Sequence, residues 1–159
     1  MFNVLFVCSQ NMCRSPYCDY VFKKMVAEDP FLCDKVSVQS SAVMTPGTSL
    51  DPLTAAAMRK EGIDEETIQN HKPGYIYRKK DWKLFKEADI IICMTRSHYL
   101  WTPLFFWKKT VPLAQAATGK YKAVPDPWLQ RDPDKYQARM DIIKAYLEQY
   151  LEVLRQQLS

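Results

Sequence analysis

A nearly unbroken apolar run, Phe2 to Val7 with one interruption at Asn3, leads straight into Cys8; after five intervening residues comes Arg14, followed at once by Ser15 and Pro16. Such a run fits a strand buried on both faces of a parallel sheet. Pro16 fits the first turn of a helix, where a missing N–H leaves nothing unpaired, and Ser15 is the natural cap before it. The spacing therefore predicts a strand, a tight loop and a helix start. Several backbone N–H groups and the positive end of a helix dipole would then converge on one small volume, and such a volume binds anions.

Two side chains give this anion site a chemistry. A loop that curls back puts the Cys8 thiol beneath the anion and the Arg14 guanidinium beside it. Surrounding donors, a helix N-terminus and a fixed cation favour the thiolate, which is the nucleophilic form. Arg14 offers two parallel donors in a planar fork that matches a tetrahedral oxyanion. Ser9, Gln10, Asn11, Met12, Cys13, Arg14 and Ser15 form the candidate anion-binding set. The competing reading, a structural cysteine beside a surface arginine, is weakened by the strand and helix that flank the motif.

Cys8 to Pro16 resembles the signature of the low-molecular-weight protein tyrosine phosphatases, in which cysteine, five residues, arginine, serine and proline form the phosphate loop. Gln10 stands where that family usually has Gly; since Gln resists positive backbone dihedrals, the loop is expected to be most constrained there. Asn11, which the family also carries, is the non-Gly type that best tolerates the left-handed region. The resemblance continues downstream. A second strand over 36–40 is followed by Ser41 and Ala42, similar to a family Ser whose hydroxyl joins a network supporting the loop. Asp51 and Pro52 resemble a helix start, and His71 with Lys72 resembles a pair whose His hydrogen-bonds to the loop Asn. A strand ending in Cys93 and Met94 is matched too, although Thr95 stands in place of a family Asp.

The stretch Val124, Pro125, Asp126, Pro127 and Trp128 is the second landmark. Two prolines hold Asp126 in a stiff extended loop, a good mount for a group that must be aimed. Alone it reads as a turn; in the resembled family a loop of Asp, Pro and an aromatic residue supplies the general acid. Trp128 replaces the usual Tyr or Phe.

Composition bounds the rest. A chain of 159 residues, 47% hydrophobic and 25% charged, fits one domain spanning 1–159. The net charge of +4 suits anionic ligands but argues against nucleic acid as a partner. Five cysteines without paired spacing speak against a disulfide scaffold or a metal site, and no cofactor is implied. No secretory leader is read at the start. The aromatic cluster from Tyr99 to Trp107 contains Pro103 and is too short for a span, so a cytoplasmic protein with no membrane partner is expected. That cluster reads either as packing over a sheet edge or as a sticky rim for partners.

The periodicities predict helices over 16–28, 51–60, 80–88 and 132–158, the first followed by a strand and the last long and amphipathic. Ser97 is expected to cap a short helix, and Pro112 restricts 111–114 to an edge strand. The expected fold class is α/β: a single three-layer domain, its four-stranded, mainly parallel sheet carrying helices on both faces and a phosphate-binding loop after the first strand. The resemblance implies hydrolysis of aryl phosphate monoesters, foremost protein phosphotyrosine, through a phosphocysteine intermediate. Cys8 would attack, Ser15 would hydrogen-bond the thiolate, and Asp126 would act as acid and then base. The implied partners are a phosphotyrosine-containing protein or small aryl phosphate, with inorganic phosphate or a similar oxyanion in the loop. Cys13, sharing the loop with Cys8, is a candidate redox partner. Two alternatives stay open: a thiol-dependent arsenate reductase, for which Cys93 has no second cysteine behind it, and a phosphate-binding module without turnover.

Overall fold

The computed structural model describes residues 1–159. Strands β1 (Phe2–Cys8), β2 (Val36–Ala42), β3 (Ile90–Cys93) and β4 (Thr110–Pro112) form one sheet in the order β2-β1-β3-β4. Every neighbouring pair is parallel. Alternation along β1 explains its unbroken hydrophobicity. Val4, Phe6 and Cys8 enter one core with Ile92 and Val38, while Leu5 and Val7 enter the other with Ile91 and Cys93. Each large side chain buried in this way contributes about 1.5–3 kcal/mol.

The helices are α1 (Arg14–Glu28), α2 (Pro52–Lys60), α3 (Glu65–Asn70), α4 (Lys79–Glu87), α5 (Leu113–Thr118) and α6 (Pro133–Leu158). Helices α1 and α6 supply Tyr17, Phe22, Tyr136, Met140, Ile143 and Leu147 to the core on the first face. Phe85 of α4 supplies the second. A parallel sheet covered on both sides places its binding crevice at the carboxyl ends of the strands. The loops after β1, β2 and β3 all lie at that end.

Several local expectations are corrected. Helix α1 begins at Arg14, one residue before Ser15, and its capping residue Cys13 makes no side-chain cap bond. Strand β2 does not stop at Ser40 but runs through Ser41 and Ala42. The turn of 3-10 helix over Arg96–Trp101 starts after Thr95, so Ser97 lies inside it and caps nothing. The short helices α3 and α5 have no counterpart among the predicted elements. Asp64 caps α3 through the N–H of Thr67, a signal present in the sequence but attached to only six residues. Tyr150 is buried on α6, completing the stripe that the leucines suggest.

Candidate active site

The loop between β1 and α1 is shaped by what happens to its carbonyl groups. The Cys8 carbonyl accepts from the N–H of Val43, and that of Ser9 from the N–H groups of Met44 and Thr45. Asn11 O accepts from His71 Nε2 at 3.0 Å, and Met12 O from the N–H of Asp51. A Cβ at Gly47 would stand 2.2 Å from the Gln10 carbonyl, so that contact requires glycine. Residues 43–51 and His71 thus hold the carbonyls on the outside. In a trans peptide the following N–H points the opposite way, so the N–H groups after each of these carbonyls face the inside of the loop. No protein group accepts a hydrogen bond from the backbone N–H of residues 9 to 13. Together they make a nest for an anion.

Gln10 does not carry the unusual backbone. The one non-Gly residue with positive φ is Asn11, at 57°. Gln10 is exposed, and its side chain donates to Thr45 Oγ1 at 3.1 Å. Asn11 is buried and locked from both ends of its amide: Oδ1 accepts from the N–H of Gly74 at 3.0 Å, and Nδ2 donates to Ser15 Oγ at 2.7 Å.

Ser15 Oγ, having accepted from Asn11, keeps its own proton for Cys8 Sγ, 3.0 Å away. The competing acceptor, Ser41 O, is farther at 3.4 Å. Of the two roles expected of Ser15, the cap falls away and the hydrogen bond to the sulfur stands. Ser41 takes part through its carbonyl; its hydroxyl is buried with no partner, contrary to the role expected of it. His71 receives the Tyr20 hydroxyl at Nδ1 (2.8 Å), so Nε2 carries the proton that goes to Asn11 O. Burial lowers the His71 pKa and keeps the ring neutral.

Arg14 is buried, and its guanidinium is anchored on one side by an Nη1 bond to Val124 O at 2.8 Å. Nη2 lies 3.4 Å from Asp126 Oδ2. Nε is buried without a protein acceptor, a free donor on the fork. The same Val124 donates its N–H to Met94 O, which ties the Asp126 loop to the end of β3. Asp126 Oδ1 accepts from the N–H of Trp128 at 3.2 Å. Its side chain is 37% exposed, so the carboxyl is aimed but still reaches solvent.

Cys8, Ser9, Gln10, Met12, Cys13, Arg14 and Asp126 line one pocket of about 570 Å³. Asn11 and Ser15 stand behind it, supporting rather than lining. Met44, Trp128 and Leu129 add apolar wall. One pairing on the pocket wall was invisible in the sequence: Arg131 grips Asp51 through Nη2 at 2.9 Å and Nη1 at 3.3 Å, across 80 positions. Asp51 also caps α2 and accepts from the Cys13 thiol at 3.6 Å. Burial pushes the Cys13 pKa up to about 12, holding it as the unreactive thiol. Cys93 is fully buried and likewise pushed up to about 12.

His98 was missed altogether. It is buried, its Nδ1 accepts from the N–H groups of Met94 (3.2 Å) and Thr95 (3.4 Å), and Nε2 lies 3.3 Å from Ser9 Oγ. With Nδ1 occupied as acceptor, the proton sits on Nε2 and is donated to Ser9. Burial first, and the Arg14 charge second, push its pKa down to about 3.

Comparison with known proteins gives a consistent answer. The model of the family described as low molecular weight phosphotyrosine protein phosphatase matches residues 3–159. The enzyme of that name from Sus scrofa is 39% identical over 98 residues, covering 60% of this chain and 56% of that protein. The match thus spans little more than half the length of that relative. A protein-arginine-phosphatase of Bacillus subtilis is 25% identical over 158 residues, covering 97% of this chain and 93% of its own. Among solved structures, the YwlE arginine phosphatase as a cysteine-to-serine mutant with a phosphorylated active-site serine superposes with a TM-score of 0.79. It is 25% identical, with 99% of this chain and 95% of that one covered.

Proposed function

The chain belongs to the low molecular weight phosphotyrosine protein phosphatase family, and from that premise we propose that it hydrolyses aryl phosphate monoesters, foremost protein phosphotyrosine, through a phosphocysteine. The observation that carries the proposal is that one pocket brings together Cys8, the unpaired N–H groups of residues 9 to 13 and Arg14, whose Nε has no protein acceptor. Cys8 thiolate attacks phosphorus while the phosphoryl oxygens rest on the nest and the fork, which stabilise the charge as it spreads. Ser15 holds the sulfur in line. Asp126, in its protonated form, gives its proton to the departing phenolate oxygen. As carboxylate it then takes one from the water that breaks the phosphorus–sulfur bond, releasing phosphate and restoring Cys8. The phosphorylated serine in the related arginine phosphatase supports covalent transfer to this position of the loop.

That relative also raises phosphoarginine as a substrate. The pocket favours an aryl ring: Met12, Met44, Trp128 and Leu129 wall it, and Asp51, the second carboxylate at hand, is already held by Arg131 and the N–H of Leu53. A guanidinium would need an unengaged carboxylate beside it. Turnover of a phosphotyrosyl peptide against a phosphoarginyl peptide of the same sequence, without metal and under reducing conditions, tests the reading. The phosphotyrosyl peptide is expected to win; preference for phosphoarginine overturns the aryl assignment.

His98 acts through Ser9 as a positioning residue. By donating to Ser9 Oγ it leaves that hydroxyl's proton free for an oxyanion in the pocket. A hydrogen bond to a charged group is worth enough that His98→Ala should weaken inhibition by inorganic phosphate roughly tenfold or more. Ser9→Ala should do the same, and the double variant should add little. Additive losses would mean that His98 merely props the loop. The imidazole protonates readily only in the unfolded chain. It therefore contributes stability above its ordinary value of 6.5 that is lost as pH falls towards about 3. His98→Ala should accordingly flatten the acid limb of a melting-temperature profile.

A further inference from the structure

The aromatic cluster over 99–107 resolves into both of its expected roles, divided residue by residue. Phe106 alone is driven into the core, against Trp82 and Phe85. Leu100, Leu104 and Phe105 are 78%, 71% and 65% exposed, and Trp101 and Trp107 are exposed as well. They project from two consecutive turns of 3-10 helix, Arg96–Trp101 and Leu104–Lys109. The surface continues onto α4: Phe105 packs on Trp82 with ring centroids 5.8 Å apart, and Trp82 stacks on the exposed Tyr77 at 6.1 Å. So many exposed apolar side chains gathered on one face mark a contact site.

Its charge says what it contacts. Residues 78–109 hold eight Lys and Arg against three Asp and Glu, a net of +5, whereas the whole chain carries +4. All the excess positive charge therefore lies on this segment. Helical spacing puts Lys79, Lys83 and Lys86 on the same face of α4 as Trp82. Of the basic residues in the segment only Lys83 has an acidic partner, Glu87 at 3.8 Å. The exposed Lys108 follows directly on the exposed Trp107, whereas the Lys109 amine is turned back onto the carbonyls of Lys86 and Ala88. Protein interfaces are depleted in Lys, whereas elements that lie on membranes join Trp, Phe and Leu to a rim of Lys and Arg.

We propose that this face docks on an anionic lipid surface, with Leu100, Leu104 and Phe105 entering the headgroup boundary and the flanking lysines meeting lipid phosphates. No helix is long and apolar enough to cross a membrane; the contact is peripheral, and it revises the expectation that no membrane is involved. The turn that bears Leu100 also bears His98, so the docked face adjoins the phosphate loop and would present the pocket to phosphorylated groups held near the lipid.

Sedimentation of the full chain with large vesicles tests this, using phosphatidylcholine alone or in equal parts with phosphatidylglycerol. Partition is expected on the anionic vesicles only, falling as added salt shortens the screening length. Lys86→Ala and Lys108→Ala should each lower it about fivefold. Leu100→Ser with Leu104→Ser should lower it further while turnover of a small soluble aryl phosphate stays as in the parent. Absence of partition, equal partition on both vesicle types, or variants that partition like the parent would overturn the proposal. So would a concentration-dependent dimer that the two Leu→Ser changes dissolve, because the face would then belong to a second copy of the chain.

Discussion

Replacing Cys8 with Ser is expected to abolish turnover of any aryl phosphate, on the order of the 10⁶-fold lost when a covalent hydrolase is deprived of its nucleophile. The fold should be untouched, since oxygen replaces sulfur in a side chain whose one hydrogen bond is to Ser15. Inorganic phosphate should still bind, because the nest and Arg14 remain. Arg14→Lys should separate the two functions differently. Lysine keeps the charge but loses the Nη1 bond to Val124 and the free Nε, and with them the planar fork. Loss of a single oxyanion donor costs about 10²–10³ in rate, and here the tether of the Asp126 loop is released as well. Arg14→Lys should therefore lose both turnover and phosphate binding. Turnover assays, phosphate titration and thermal melts of both variants check this. Substantial activity in the Cys8→Ser protein would end the covalent mechanism. A parent protein that binds phosphate without turning over an aryl ester would instead be a binding module.

What the sequence made legible was local. The strand, the loop and the helix start lie within a few residues of one another, and each has its own chemical signature. Asp126 was legible as a candidate acid through the family loop that it resembles, since alone its two framing prolines read as a turn. What was hidden depends on contacts made across the fold. Ser15 reads both as a cap and, through the resemblance, as a donor to the thiolate; the return of the Cys8 sulfur and the Asn11 amide to its side decides for the second. Asn11 was legible as the residue suited to the left-handed backbone and His71 as its partner, but the grip on its amide by Gly74, 63 positions away, was not. His98 sits among aromatic residues and reads as filler; its distinguishing partner, Ser9, is 89 positions distant. The pairing of Asp51 with Arg131 leaves no local trace, since each residue has an ordinary alternative use as cap or surface charge.

Asp126→Asn offers the second large effect and the sharper discrimination. Tyrosine leaves as a phenolate whose conjugate acid has a pKa of about 10, so expulsion without a proton is slow. A positioned acid should contribute on the order of 10²–10⁴ in rate. The geometry suits proton donation, because Oδ1 is held by the N–H of Trp128 while Oδ2 stands over the pocket beside Arg14. Asparagine preserves the first bond and removes the transferable proton. The variant should therefore slow sharply on phosphotyrosine and far less on a phenyl ester carrying strong electron-withdrawing groups, whose leaving oxygen needs little help. Its cleavage step should also become steeply dependent on leaving-group pKa. Breakdown of the phosphocysteine, which needs the same residue as base, can hide this in steady-state rates, so the pre-steady-state burst is the quantity to compare. If the burst slows equally for both esters, Asp126 only shapes its turn and holds Arg14, and the acid must be another group on the pocket wall.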